Sequence, residues 1–236
     1  SVYTLVEDNQ FTVSAVHNST QKGDYVYGLT LEAARNTTVR SNTFNTSGAA
    51  VYNVEIFDSN NNELIGNDFT SIGSYLYGVA GYRACDNKII SNNFSLKNAK
   101  YGDVAKAVHS DAIPYGNAGV LLMYDSFRNN VTLNTINSTA PYTVNLTVQA
   151  INNTVVENSL RSAKLIGDAS VLNDHATNKV ERNFLHFTTA SMSPIKATVG
   201  QPFTINGVVS ATTSDLSNIT VQLKMGTTLL GTTIVS

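Results

Sequence analysis

Asp58, Arg83 and Asp125 are the first residues in this chain whose types and spacing could do chemistry. They stand 25 and 42 positions apart, at the same place in a recurring segment, six residues ahead of an aliphatic position. The full column reads Ala33, Asp58, Arg83, Asp125, Gln149 and Asp174, and its polarity predicts that it points outward. Stacked at the spacing of neighbouring strands, about 5 Å, the carboxylates could hold Ca²⁺ and the arginine could take a proton from a sugar carbon. The competing reading is an exterior ladder of alternating charge that carries no reaction.

The longest interval between repeats holds an insertion of about seventeen residues within Ser95 to Ala118, containing Lys97, Lys100, Lys106, His109 and Asp111. It emerges between the windings that bear Arg83 and Asp125. His109 with Asp111 could then act as a proton-transfer pair, although His-Ser-Asp is also a common accident of a polar loop. No pair of carboxylates at a glycosidase-like separation is legible. The alternative catalytic set is therefore Asp58, Arg83, Asp125 and His109, and the preferred reading assigns no catalytic residue. Cys85 is the lone cysteine, which excludes an internal disulfide or a cysteine-built metal centre and predicts a buried thiol. Nothing calls for a metal or a cofactor. Exposed aromatics offer a third chemistry, stacking on sugar rings, for which Tyr25, Tyr27, Tyr75, Tyr77, Tyr82, Tyr115, Tyr124 and Tyr142 are candidates. Tyr82 and Tyr124, with Phe57, share a column that is expected to stack in the core.

The elements that must position these groups come from an internal repeat. An aliphatic residue, Asn three positions later and a large apolar residue two beyond that recur seven times. The copies are Val6/Asn9/Phe11, Val39/Asn42/Phe44, Leu64/Asn67/Phe69, Ile89/Asn92/Phe94, Val131/Asn134/Ile136, Val155/Asn158/Leu160 and Val180/Asn183/Leu185. Four of the six Asn-to-Asn intervals are 24 or 25 residues, so one winding takes about 25. A second asparagine often precedes the aliphatic residue by two, at Asn62, Asn87, Asn129, Asn153 and Asn178. A column of small residues, Ala34, Ser59, Ala84, Ser126 and Ala150, lies five before it.

Helical periodicity is absent, and the short apolar runs between Asn-rich turns read as strands. Asn tolerates the left-handed backbone of a sharp corner, and its amide can bond its counterpart in the next winding. The Asn9, Asn42, Asn67, Asn92, Asn134, Asn158 and Asn183 column is thus expected to form corners and a structural ladder around a continuous apolar core. Segments such as Asp86-Asn87-Lys88-Ile89-Ile90-Ser91-Asn92-Asn93-Phe94 and Ile151 through Leu160 resemble the units of right-handed parallel β-helix repeat proteins, in particular archaeal adhesin-like surface proteins. The resemblance covers residues 1–187. It implies a parallel β-helix of about seven rungs, a coil that also carries pectate lyases, epimerases, tailspikes and catalytically silent adhesins.

Composition and period change after Phe187. Phe203-Thr204-Ile205, Val208-Val209-Ser210 and Ile219-Thr220-Val221-Gln222-Leu223 alternate with period two, and Met225 through Thr232 reads as a turn into another strand. This segment is similar to the opening strands of Ig-like stalk domains, and its length is short of the ~100 residues of a complete sandwich. The expected fold is all-β: a right-handed parallel β-helix over 1–187, then a partial Ig-like β-sandwich segment over 188–236.

Composition limits the partners. Charged residues are 14 % of the chain and the net charge is −2, which leaves no footprint for nucleic acid. Asn, Ser and Thr supply 77 of 236 residues, so solubility rests on neutral polar groups, as on a secreted surface. No apolar run is long enough to span a membrane. Sequons stand at Asn18, Asn36, Asn45, Asn93, Asn130, Asn137, Asn145, Asn152 and Asn218, a modest excess over chance in a chain with 28 asparagines. The function expected is an extracellular, cell-surface adhesin-like or envelope structural protein. Its partner would be a cell-surface glycan, a protein or neighbouring copies of itself. The alternative is a polysaccharide-active lyase, epimerase or hydrolase, or a glycan-binding module.

Overall fold

Short apolar runs set 25 residues apart can bury their inward side chains only against their own equivalents, and parallel stacking follows. The computed structural model describes residues 3–15, 25–98, 117–185, 220–225 and 228–234. Contacts divide the chain into two units, Ser1–His186 and Phe187–Ser236. In the first, one parallel sheet is ordered β1 (Thr4–Glu7), β4 (Thr37–Arg40), β6 (Glu63–Ile65), β8 (Lys88–Ile90), β11 (Asn130–Thr132), β14 (Thr154–Val156) and β17 (Lys179–Glu181). The second sheet has two limbs held together by the long strands β5 (Thr43–Phe57) and β7 (Asp68–Tyr82). One limb adds β2 (Gln10–Ser14), β9 (Asn93–Asn98), β12 (Thr135–Ser138) and β15 (Ser159–Arg161). The other adds β3 (Tyr25–Glu32), β10 (Ala118–Met123), β13 (Val144–Leu146) and β16 (Val171–Asn173). These parallel sheets curl into a half-barrel. In the second unit, β18 (Thr220–Met225) and β19 (Thr228–Ile234) form an antiparallel hairpin. The expected strands at Phe203–Ile205 and Val208–Ser210 lie outside the described residues.

Register is set by the repeat. Val39 pairs with Leu64, Leu64 with Ile89, Ile89 with Val131 and Val131 with Val155. All five are fully buried. Beside them Phe11, Phe44, Phe69 and Phe94 stack with centroid separations of 4.6, 4.9 and 4.6 Å. Where the limbs of the second sheet meet, β3, β7 and β10 carry Gly28, Gly78 and Gly119, while β5 carries the buried Asn53 at the same place. A Cβ on Gly78 would come within 2.5 Å of both the Phe94 ring and the Gly119 carbonyl oxygen.

The asparagines form ladders, but the corners are not made as the sequence suggests. Left-handed backbone falls on the residue before each asparagine: Asp8, Ser41, Gly66, Ser91, Leu133, Glu157 and Arg182, with φ between 54° and 62°. The asparagine that follows turns its amide inward. Its backbone N–H and Nδ2 both donate to the Oδ1 of the next asparagine in the series 9, 42, 67, 92, 134, 158 and 183, over 2.8–3.1 Å. The other Nδ2 hydrogen reaches a main-chain carbonyl of the preceding winding, as Asn67 does to Val39 at 2.9 Å. A second ladder runs through Asn62, Asn87, Asn129, Asn153 and Asn178. At its last step the first ladder is closed by Asp168, whose Oδ1 accepts both donors of Asn183. The residue type selected here is the one that can donate and accept at once. The left-handed position shows no such selection, because its side chain points to solvent.

The small-residue column is a third corner. Ser59 Oγ accepts from the Ala34 N–H at 2.8 Å and donates to a carbonyl of its own or the preceding winding; Ser126 does the same for Ala84. Cys85, expected to be buried, is free and half-buried.

Candidate functional site

At this third corner lie the residues singled out for chemistry. Asp58, Arg83 and Asp125 hold its left-handed positions on successive windings, with φ of 48°, 49° and 58°, and all three are exposed. Arg83 Nε and Nη2 donate to the two Asp58 carboxylate oxygens at 2.5 and 2.7 Å, while its guanidinium lies 4.4 Å from the centre of the Phe57 ring. That two-pronged bond holds Asp58 below the usual carboxylate range and Arg83 above its ordinary value, and the charges of Asp58 and Asp125 raise Arg83 further. An arginine so placed keeps its proton. The same device recurs at the neighbouring corner, where Arg128 grips Asp86 at 2.6 and 2.7 Å and covers the Phe127 ring. These charges tie one winding to the next. His109 and Asp111 lie outside the described residues, and no group of three metal-holding side chains occurs among the described ones.

A groove of about 380 Å³ on the outer face of the first sheet is lined by Tyr3, Asn36, Thr38, Asn61, Glu63, Asp86 and Lys88. Its charges are paired, Lys88 with Glu63 at 2.6 Å and Asp86 with Arg128.

The outer face of the β3–β5–β7–β10 limb is different. Leu29, Val54, Val79 and Val120 point inward, so strand alternation turns Thr30, Glu55, Ala80 and Leu121 outward, and with them Glu32, Phe57, Tyr82 and Met123. Phe57, Tyr82 and Tyr124 therefore stack on the outside, with centroids 6.5 and 6.3 Å apart, and not in the core as their column suggested. On the same outward side Tyr27, Tyr52 and Tyr77 stack at 5.2 and 5.1 Å, and Tyr52 and Tyr77 belong with Ala80, Leu121 and Met123 to a second buried apolar cluster. Tyr25 sits 6.2 Å from Tyr27 and 6.1 Å from Tyr52, making a three-ring cluster. Tyr52 and Tyr77 are buried, whereas Tyr27 at the end of the stack is 40 % exposed.

Glu55 lies among these rings. Burial raises its pKa first, and the charge of Glu32 raises it further. Burial, with Glu55 close by, pushes the Tyr27 hydroxyl up to about 12, and Tyr82 is raised by the same causes. Glu32, one strand over and two residues along, has its Cα about 8 Å from that of Glu55 by strand spacing and rise. Neither carboxylate has a cation or hydrogen-bond donor among the described residues. Glu32, Glu55 and Tyr52 were not singled out by the sequence reading. Their signal was a lone carboxylate, Glu55, inside the apolar run Val51 to Phe57.

The sequons divide by exposure. Asn93, Asn137 and Asn152 are exposed, and Asn36, Asn45 and Asn130 half-buried. Asn145, in the same outward row as Glu55 and Leu121, is 1 % exposed and closed to a glycosyltransferase in the folded chain. Asn18 and Asn218 lie outside the described residues.

Comparison with protein-family models, with characterised proteins and with solved structures gives no match.

Proposed function

We propose that this chain is a non-catalytic module of an extracellular, adhesin-like surface protein. In this reading the stacked windings are a right-handed parallel β-helix, the β18–β19 hairpin belongs to an incomplete Ig-like segment, and the accessible sequons carry glycans. The observation that carries the reading is the contrast between two outer surfaces. At the third corner the acid–base candidates Asp58 and Arg83 are consumed in a cross-winding ion pair, while the limb beside it exposes Tyr27 next to Glu55 and Glu32, which have no cation partner among the described residues. A rigid coil that spends Asp58 and Arg83 on each other and leaves Tyr27 exposed at the rim of an aromatic cluster suits holding a partner better than turning one over. The neutral polar composition agrees with life outside the cell.

Two measurements test this. Antibody labelling of intact, unpermeabilised cells is expected to find the chain, and a purely internal location would overturn the assignment. Incubation with a panel of uronic-acid polymers is expected to release neither unsaturated products nor reducing ends; turnover abolished by Asp125→Ala would establish the lyase alternative instead.

A further inference from the structure

We propose that the outer face formed by Tyr25, Tyr27, Tyr52, Glu32 and Glu55 binds an organic cation, an alkylammonium group. The inference rests on reading this limb as a binding surface and names the chemistry it takes. Three rings with centroids 5.2 to 6.2 Å apart form an aromatic cluster, and Tyr27 is exposed at its rim. Glu55 adjoins these rings, half-buried, and Glu32 stands on the neighbouring strand.

Two like charges this close, one partly out of water and neither matched by a cation among the described residues, repel each other unless something positive relieves them. Arg83, at the corner of the same limb, cannot do so because both prongs of its guanidinium are on Asp58. A bare divalent ion fits poorly: Ca²⁺ wants six to eight oxygens, and Glu32 and Glu55 form no metal-holding group among the described residues. A neutral sugar would stack on Tyr27 but leave the carboxylate repulsion in place. An alkylammonium satisfies both features, its charge facing Glu55 and Glu32 and its polarised methyl or methylene groups lying on the ring faces.

The chain has no tryptophan to mask its tyrosine fluorescence, and the part of the signal that Tyr27→Ala removes reports on this face. Choline is titrated against its uncharged isostere, in which carbon replaces the ammonium nitrogen, with Glu55→Gln and Tyr27→Ala as variants. Saturable binding is expected, with choline preferred over the isostere at least about tenfold and weakened about tenfold or more by Glu55→Gln. Glu55→Gln is also expected to be thermally more stable than the parent at neutral pH, which a merely structural carboxylate would not give. Equal affinity for choline and isostere, affinity unchanged by Glu55→Gln, or no saturation would each overturn the cation assignment. If choline fails but a neutral glycan binds and Tyr27→Ala abolishes it, the cation inference falls while the binding surface stands. If neither binds, both fall.

Discussion

Substituting glycine at two adjacent positions of one corner separates the two jobs done there. Asn92 is 1 % exposed, and its side chain and backbone N–H hold five hydrogen bonds. Its Oδ1 accepts the backbone and side-chain donors of Asn67 at 2.9 Å each. Its Nδ2 donates to the Leu64 carbonyl at 2.9 Å and to Asn134 Oδ1 at 3.0 Å, and its backbone N–H also reaches Asn134 Oδ1. In Asn92→Gly the backbone bond survives, but two buried donors of Asn67 and the Leu64 carbonyl lose their side-chain partner. At about 1–3 kcal/mol for each stranded group, partly recovered by relaxation, the cost is about 3–6 kcal/mol. That is a large share of the about 5–15 kcal/mol that holds a typical domain together. Ser91 carries the left-handed backbone, φ 55°, with an exposed side chain. Ser91→Gly removes about 1–2 kcal/mol of left-handed strain and adds about 0.5–1 kcal/mol of chain entropy, so it is neutral to slightly stabilising. Gly66 already fills the equivalent place one winding earlier. Urea unfolding followed by circular dichroism measures both. A loss under about 1 kcal/mol in Asn92→Gly, or a clear loss in Ser91→Gly, would refute the division of labour and return the corner to the asparagine.

Gly78→Ala drives a methyl into the Phe94 ring and the Gly119 carbonyl and is expected to cost about 1–3 kcal/mol by the same unfolding assay. Spectrophotometric titration should show Tyr27 ionising near about 12 in the folded chain, falling toward the ordinary tyrosine value in Glu55→Gln, which removes a charge that raises it. Because its folded pKa lies above the unfolded one, the stability it contributes is complete below about pH 10 and lost as pH rises towards 12. For Glu55, also raised, the sign is the same: the penalty appears as pH rises through its folded pKa, so the stabilising effect of Glu55→Gln should shrink in acid when followed by thermal melts. Peptide mapping of the native protein is expected to find Asn145 unmodified whatever the state of Asn93, Asn137 and Asn152.

The amino-acid sequence by itself determined the period, the all-β class, the stacking of Val39, Leu64, Ile89 and Val131 and the existence of the Asn columns. Each of these rests on a side chain that must meet its own kind in the next winding, and such a demand leaves a repeating letter. Where the left-handed residue sits was not legible, because a side chain pointing to water is free to be Asp, Ser, Gly, Leu, Glu or Arg. Asp58 and Arg83 were legible as outward neighbours. That they are locked together over Phe57 was not, since pairing depends on how two long side chains fall across adjacent corners. The Tyr27, Tyr52 and Glu55 face was decided by tertiary structure alone: bends at Gly78 and its equivalents change which residues of the long strands face inward, and a count along the chain cannot see where a strand turns.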